Sequence, residues 1–139
     1  MATQNSPVVY GKAIQWQLSD IINPIKVYSD FNRNYASESR FVTWHLRNVH
    51  QPVYTGKYQN VKGIDRPIFQ MSVFGTTADD VFNTANDIIQ SLHGYSGLFG
   101  GPTYGFQISK ADVAWLYHAY DNTTALHTVY MDCTLDIPT

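Results

Sequence analysis

Tyr10, Ile14, Leu18, Ile21 and Ile22 fall on one face of a 3.6-residue repeat, which predicts an amphipathic helix. Ser6 before Pro7 is a start signal, a capping residue followed by proline at the first helical position. Asn23-Pro24 is a stop, because proline disfavours helical geometry in the residue before it. A short β-prone run, residues 25–28, comes next, and the polar stretch 29–40 reads as a loop. Over residues 41–49 the period changes to two. Val42, Trp44 and Leu46 face one way and Thr43, His45 and Arg47 the other, as in a half-buried strand. Residues 67–74 alternate likewise, with Phe69, Met71 and Val73 on one side. Between these strands, residues 51–66 contain Pro52, Gly56 and Gly63 but no core pattern. They read as a long connection, with an extended hairpin arm as its alternative form.

The second half opens with the clearest helix. Thr76 or Thr77 caps it, and Asp79 and Asp80 sit where the helix dipole favours negative charge. Val81, Ala85, Ile88, Ile89 and Leu92 form its apolar stripe, and Gly94 stands where a left-handed C-cap belongs. The glycine-rich stretch 94–105 reads as a flexible turn. Residues 106–108 and 113–120 look like one strand or a broken one, and Asp121-Asn122 marks a turn. In the last strand Val129, Met131, Cys133, Leu135 and Ile137 alternate with Tyr130, Asp132, Thr134 and Asp136. Strands joined without intervening helices favour antiparallel pairing, and each helix has one apolar stripe to bury. The expected fold is one α+β domain over residues 1–139: a single, mostly antiparallel sheet with two helices packed on it.

Composition adds a hint of assembly. Of 139 residues, 44% are hydrophobic and only 14% are charged, against roughly 25% charged in an average soluble domain. Such a chain has too much apolar content to be disordered. Its ten tyrosines are of a type enriched at interfaces. The net charge of −2 argues against a general nucleic-acid binder. A single cysteine, Cys133, closes no intramolecular disulfide, and no apolar run approaches the ~20 residues that span a bilayer. The N-terminus lacks the basic and apolar regions of a secretory signal. A soluble, reducing setting is expected.

Candidate chemistry is sparse. His45, His50, His93, His118 and His127 show no metal-ligand spacing, and no Cys-x-x-Cys exists. The glycines after the second helix follow a helix rather than a strand, so they do not read as a phosphate loop. Asp79 and Asp80 are adjacent and already explained by the helix start. Cys133 alternates with core residues and reads as a small buried hydrophobe. No catalytic residue, cofactor site or metal site is expected, nor an enzyme. Charge is more informative in its distribution. Residues 1–66 carry eight Lys and Arg against four Asp and Glu, whereas residues 67–139 carry only Lys110 against seven Asp. Either the halves intermix in space and the asymmetry is empty, or each subunit is electrically two-sided and suited to head-to-tail contact. The basic and aromatic residues Tyr54, Lys57, Tyr58, Lys62 and Arg66 are the candidate interface, on a loop that reads equally as a solvated surface.

The stretch from Arg66 through Phe74-Gly75-Thr76-Thr77-Ala78-Asp79-Asp80-Val81 to Leu92-His93-Gly94 resembles the centre of tailed-phage tail terminator (tail completion, head–tail joining) proteins. That family has an arginine-led alternating strand, a Thr- or Ser-started helix, a Leu-x-Gly exit and a glycine-containing turn. The flanking elements are similar in order over most of residues 8–137. The resemblance implies an α+β domain and a ring, usually a hexamer. The ring caps the last ring of the tail tube, stops its growth and presents a surface to a head-side connector or stopper protein, with DNA passing through the lumen without specific binding. It implies a virion protein at the head–tail junction, assembled in the host cytoplasm, with no membrane partner. The acidic second half is then a candidate lining of the channel. Two other readings stay open: a neck or head-completion protein one layer nearer the capsid, and a small cellular α+β ligand-binding domain.

Overall fold

The structure, a computed structural model, describes residues 7–30, 38–55 and 62–138, with the side chains of 50–55, 62 and 63 left undescribed. The elements in chain order are α1 (Pro7–Ile22), β1 (Lys26–Ser29), β2 (Arg40–Thr55), β3 (Lys62–Gly75), α2 (Ala78–Leu92), β4 (Gly97–Phe99), α3 (Gly101–Tyr104), β5 (Phe106–Ile108), β6 (Lys110–Asp121) and β7 (Leu126–Pro138). Both long helices end where the sequence signals put them. α1 begins at Pro7 and stops before Asn23-Pro24. The Thr77 hydroxyl accepts the Asp80 backbone N–H at 3.2 Å, and Gly94 follows the helix at φ 79°.

Five strands form one sheet in the order β1-β2-β3-β7-β6. Pairs β2–β3, β3–β7 and β6–β7 are antiparallel, but β1 runs parallel to β2, from Lys26 beside Phe41 to Ser29 beside Trp44. The sheet is therefore mixed, which corrects the expectation of a mostly antiparallel one. A parallel neighbour needs a crossover of about a dozen residues, and residues 30–39 supply ten. A second, two-stranded sheet pairs β4 with β5, so residues 106–108 and the later strand belong to different sheets rather than to one broken strand.

Both long helices cover the same sheet face. α1 packs over β1 and β2, and α2 over β3, β7 and β6. Between them lie Tyr10, Ile14, Leu18, Val81, Ile88 and Leu92 from the helices, with Val42, Phe69, Met71, Val129, Met131 and Cys133 from the strands, all buried. Ile21, Ile89, Trp44 and Leu46 pack against this core from its margin. The alternation read from β2, β3 and β7 is thus the helix-facing side.

The glycine-rich stretch is a joint, not a flexible turn. Gly101 sits at φ 80°, and a Cβ there would stand 2.4 Å from the Trp16 ring; at Gly100, φ 100°, it would stand 2.5 Å from the Ala13 Cβ. The Gly100 N–H also donates to Gln17 Oε1 at 2.9 Å. Only residues without a Cβ let α3 and β4 settle this close to α1.

Candidate assembly surfaces

The segment read as a connection between two strands is mostly strand. β2 continues to Thr55 and β3 starts at Lys62, with Tyr54 opposite Gly63 and Thr55 opposite Lys62. Pro52 falls inside a register shift between His50 and Val53, and β1 pairs only with residues 41–44 of β2. A missing N–H is tolerated at such a bulge on an edge, which is why proline did not end the strand. Pairing of β3 with β7 ends at Ile64 opposite Pro138, so the hairpin runs on past its neighbour. The extended-arm form of the sequence reading is the one observed.

The root of this hairpin is fastened on both sheet faces. On the helix face the Tyr10 hydroxyl of α1 donates to Asp65 Oδ2, and both residues are buried. On the open face Arg66 Nε donates to Asp136 Oδ1 at 2.7 Å and Nη2 to Oδ2 at 3.4 Å. One turn of the pleat further, Arg47 Nη2 lies 2.9 Å from Asp132 Oδ2. Charge-assisted contacts of this kind are stronger than neutral ones. They hold β2, β3 and β7 in register where the arm departs.

Of the five candidate interface residues, Tyr54 and Lys62 lie on the paired strands of the arm, and Lys57 and Tyr58 fall outside the described residues. Arg66 stands at the root of the arm, where its guanidinium pairs with Asp136 within the subunit.

A surface that the sequence reading did not single out lies at the β6 edge. Phe82 on α2 meets Trp115 at 5.7 Å and His118 at 5.0 Å between ring centroids. His118 stacks on His127 at 5.2 Å, and His127 meets Tyr120 at 4.7 Å. Phe82, Trp115 and Leu116 nevertheless remain 38, 43 and 45% exposed. A register shift at Leu116, between Trp115 and Tyr117, breaks the alternation. The sequence signal was there: Trp115-Leu116-Tyr117-His118 is a run of large side chains without alternation, opposite a strand that alternates strictly.

Two hollows flank the sheet. At the opposite end from β6, a groove of about 440 Å³ runs between α1 and the β1–β2 edge, lined by Pro7, Val8, Gly11, Lys12, Gln15, Ser29 and Trp44. Its floor is fixed by the Trp44 indole N–H, which donates to Gln15 Oε1 at 2.7 Å. On the open face a cleft of about 260 Å³ lies among Phe41, Phe74, Tyr130, Asp30 and Asp121. It shelters Thr43 and Thr128 in a hollow whose walls are mostly apolar.

Reactive groups are occupied structurally. Cys133 is buried, and burial pushes its thiol up to about 12. His93 Nδ1 accepts the Val113 backbone N–H at 3.0 Å, tying α2 to β6. Asp79 and Asp80 lie in the first turn of α2. Among the described residues no group of three or more His, Cys, Asp and Glu side chains converges as metal ligands would. No described helix is long and apolar enough to cross a membrane.

The architecture is shared with a chain of a virion and a chain of a contractile injection system. A chain in the virion of a native gene transfer agent particle has it, with a TM-score of 0.59 over 96% of this chain and 100% of that chain, at 11% identity. The sheath/tube terminator of an extracellular contractile injection system, PVC, in its extended state matches with a TM-score of 0.51 over 97% of this chain and 57% of that one, at 10% identity. At such identities the likeness is one of fold. No family model and no curated protein matches the sequence.

Proposed function

We propose that this chain is a structural component of a phage-like tail end: a ring, hexameric in our reading, that seats on the last ring of the tail tube, ends its polymerisation and offers its other side to a head-side connector. It acts by shape, with no bond-making chemistry and no cofactor. The observation that carries the reading is the match to a virion component that spans nearly all of this chain and the whole of the other. The likeness to a sheath/tube terminator and the clamped hairpin at the sheet's end support it. A growing tube exposes unpaired subunit surface at its tip. A ring complementary to that surface on one side only stops growth, and an arm held rigidly at its root supplies contact area without a large ordering cost. DNA passes through the lumen; a chain of net charge −2 gives phosphates little grip.

Electron microscopy of particles made without this protein tests the proposal. Overlong tails detached from heads are expected. Tails of normal length beside full heads would instead indicate a neck or head-completion role, and normal infectious particles would remove the protein from the tail altogether.

A further inference from the structure

The cleft on the open face of the sheet has a volume of about 260 Å³. That is below the ~300–1,000 Å³ of sites that enclose drug-sized molecules, and it fits a single side chain or a ligand of that size. Phe41 and Phe74 line it with their rings stacked at 4.8 Å and 17°. Asp30 and Asp121 line it too. Both are exposed, and neither has a cation partner among the described residues. Lys26 stands opposite Phe41 on the edge strand, but it does not line the cleft and pairs with neither carboxylate. The backbone holds both aspartates in place. Asp30 adopts φ 64°, and its N–H donates to the Trp44 carbonyl at 2.7 Å. Asp121 Oδ1 accepts the Thr123 N–H at 2.9 Å. Thr43 also lines the cleft. It is only 7% exposed, and its hydroxyl has no hydrogen-bond partner among the described residues. A polar group sheltered in this way costs free energy until something bonds it. Burial first, then Tyr117 and the charge of Asp121, push the Tyr130 hydroxyl up against an opposing bond from Thr128, so the Asp121 charge is felt inside the hollow.

We propose that this cleft binds a guanidinium group carried on a short apolar stem. Two uncompensated carboxylates beside one hollow call for a cation, and the aromatic wall narrows its type. A guanidinium is planar, weakly hydrated and stacks on aromatic faces, whereas an ammonium is a compact, strongly hydrated point charge. Its five N–H donors can serve Asp30, Asp121 and the Thr43 hydroxyl at once, and bonds to the carboxylates are of the stronger, charge-assisted class. The mostly apolar lining takes the stem. Two sources carry this chemistry, an arginine side chain on a neighbouring protein and a free alkylguanidine. The site stands independently of the capping function proposed above.

Titration of the full-length chain with n-butylguanidinium, followed through its backbone amide resonances, tests the proposal. Saturable shifts confined to the cleft, at Thr43, Thr128 and Tyr130 among others, are expected. n-Butylurea, the neutral isostere, should bind at least tenfold more weakly. Asp30→Asn and Asp121→Asn should each weaken binding of the cation at least threefold, as exposed ion pairs do, and together at least tenfold, with unchanged circular dichroism. Lys26→Gln should leave the affinity within about twofold; a tenfold gain would mean that Lys26 already fills the cleft, and would overturn the proposal. Equal binding of the urea would reduce the site to an apolar hollow and overturn it as well. So would shifts centred away from the cleft, or none by ~50 mM ligand. A blocked tripeptide, acetyl-Gly-Arg-Gly-amide, then separates the two sources. Binding as tight as that of the free cation assigns the site to an arginine of a neighbouring chain, and exclusion of the peptide assigns it to a small free ligand.

Discussion

Replacing Tyr10 by phenylalanine removes one hydroxyl and leaves the ring, which packs edge-on against Phe106 at 5.6 Å. The hydroxyl donates to Asp65, and neither residue has appreciable contact with water. A hydrogen bond to a charged, buried acceptor contributes about 2 kcal/mol net. For a domain of this length that corresponds to a fall of about 6–8 °C in Tm. The pH dependence carries a second signature. Burial first, then the hydrogen bond and charge of Asp65, raise the Tyr10 pKa above its ordinary value of 10.0. A group whose pKa is raised on folding stabilises fully below its unfolded value, and that contribution is lost as pH climbs from there through the folded value. The gap between wild type and Tyr10→Phe should therefore be constant from pH 7 to 9 and shrink above pH 10. Urea melts at pH 7, 9 and 11 measure it. Equal midpoints at pH 7, or a gap that widens above pH 10, would refute the reasoning and with it the view that α1 fastens the root of the arm.

Three further outcomes follow from the same contacts. Arg66→Met deprives the largely buried Asp136 of its guanidinium and should cost about 1–2 kcal/mol in chemical denaturation, much of it recovered when Asp136→Leu is added; a neutral single variant would mean the pair is idle. Gly101→Ala forces a Cβ into the Trp16 ring at a left-handed φ and should cost at least ~2 kcal/mol, read as a lower thermal midpoint. Deleting residues 54–62 should leave the monomer folded by circular dichroism while abolishing attachment to tail tubes in microscopy; loss of the folded spectrum would show the arm to be structural.

The elements that the sequence made legible are those whose period survives in one face. α2 has a strong stripe, a threonine cap and a terminal glycine, and β7 alternates without a break, so both could be read residue by residue. Strand direction could not, because a period of two is the same in parallel and antiparallel pairs; the β1–β2 pairing is decided by the length of chain between them. The arm was obscured for a related reason. Where a strand has no core beneath it, nothing forces alternation, and Pro52 and Gly63 then resemble loop punctuation. β4 and β5 are three residues each, too short to show any period. At the candidate surfaces, Arg66 was noticed for its charge, but its partner Asp136 lies 70 residues away and only the register of β3 with β7 brings them together. The aromatic edge was hidden because large apolar residues in a strand suggest burial until the strand is known to be outermost.

The order β1-β2-β3-β7-β6 brings the early, basic half of the sequence against the late, acidic half along one seam. There β7 enters next to β3, and its Asp132 and Asp136 are neutralised by Arg47 and Arg66. What remains is mixed at the first edge, where Lys12 and Lys26 stand exposed with Asp20 and Asp30, and acidic at the last, where Asp79, Asp87 and Asp121 are exposed. A ring, on the function proposed above, repeats one contact from copy to copy. Whether such a series closes depends on the angle between successive copies, and that angle is set by rigid elements. Here the rigidity is visible: Gly100 and Gly101 lock α3 and β4 onto α1, and Tyr10, Asp65, Arg66 and Asp136 lock the arm to the sheet. On the proposed function, packing and ion pairs alone hold the geometry that such a ring presents.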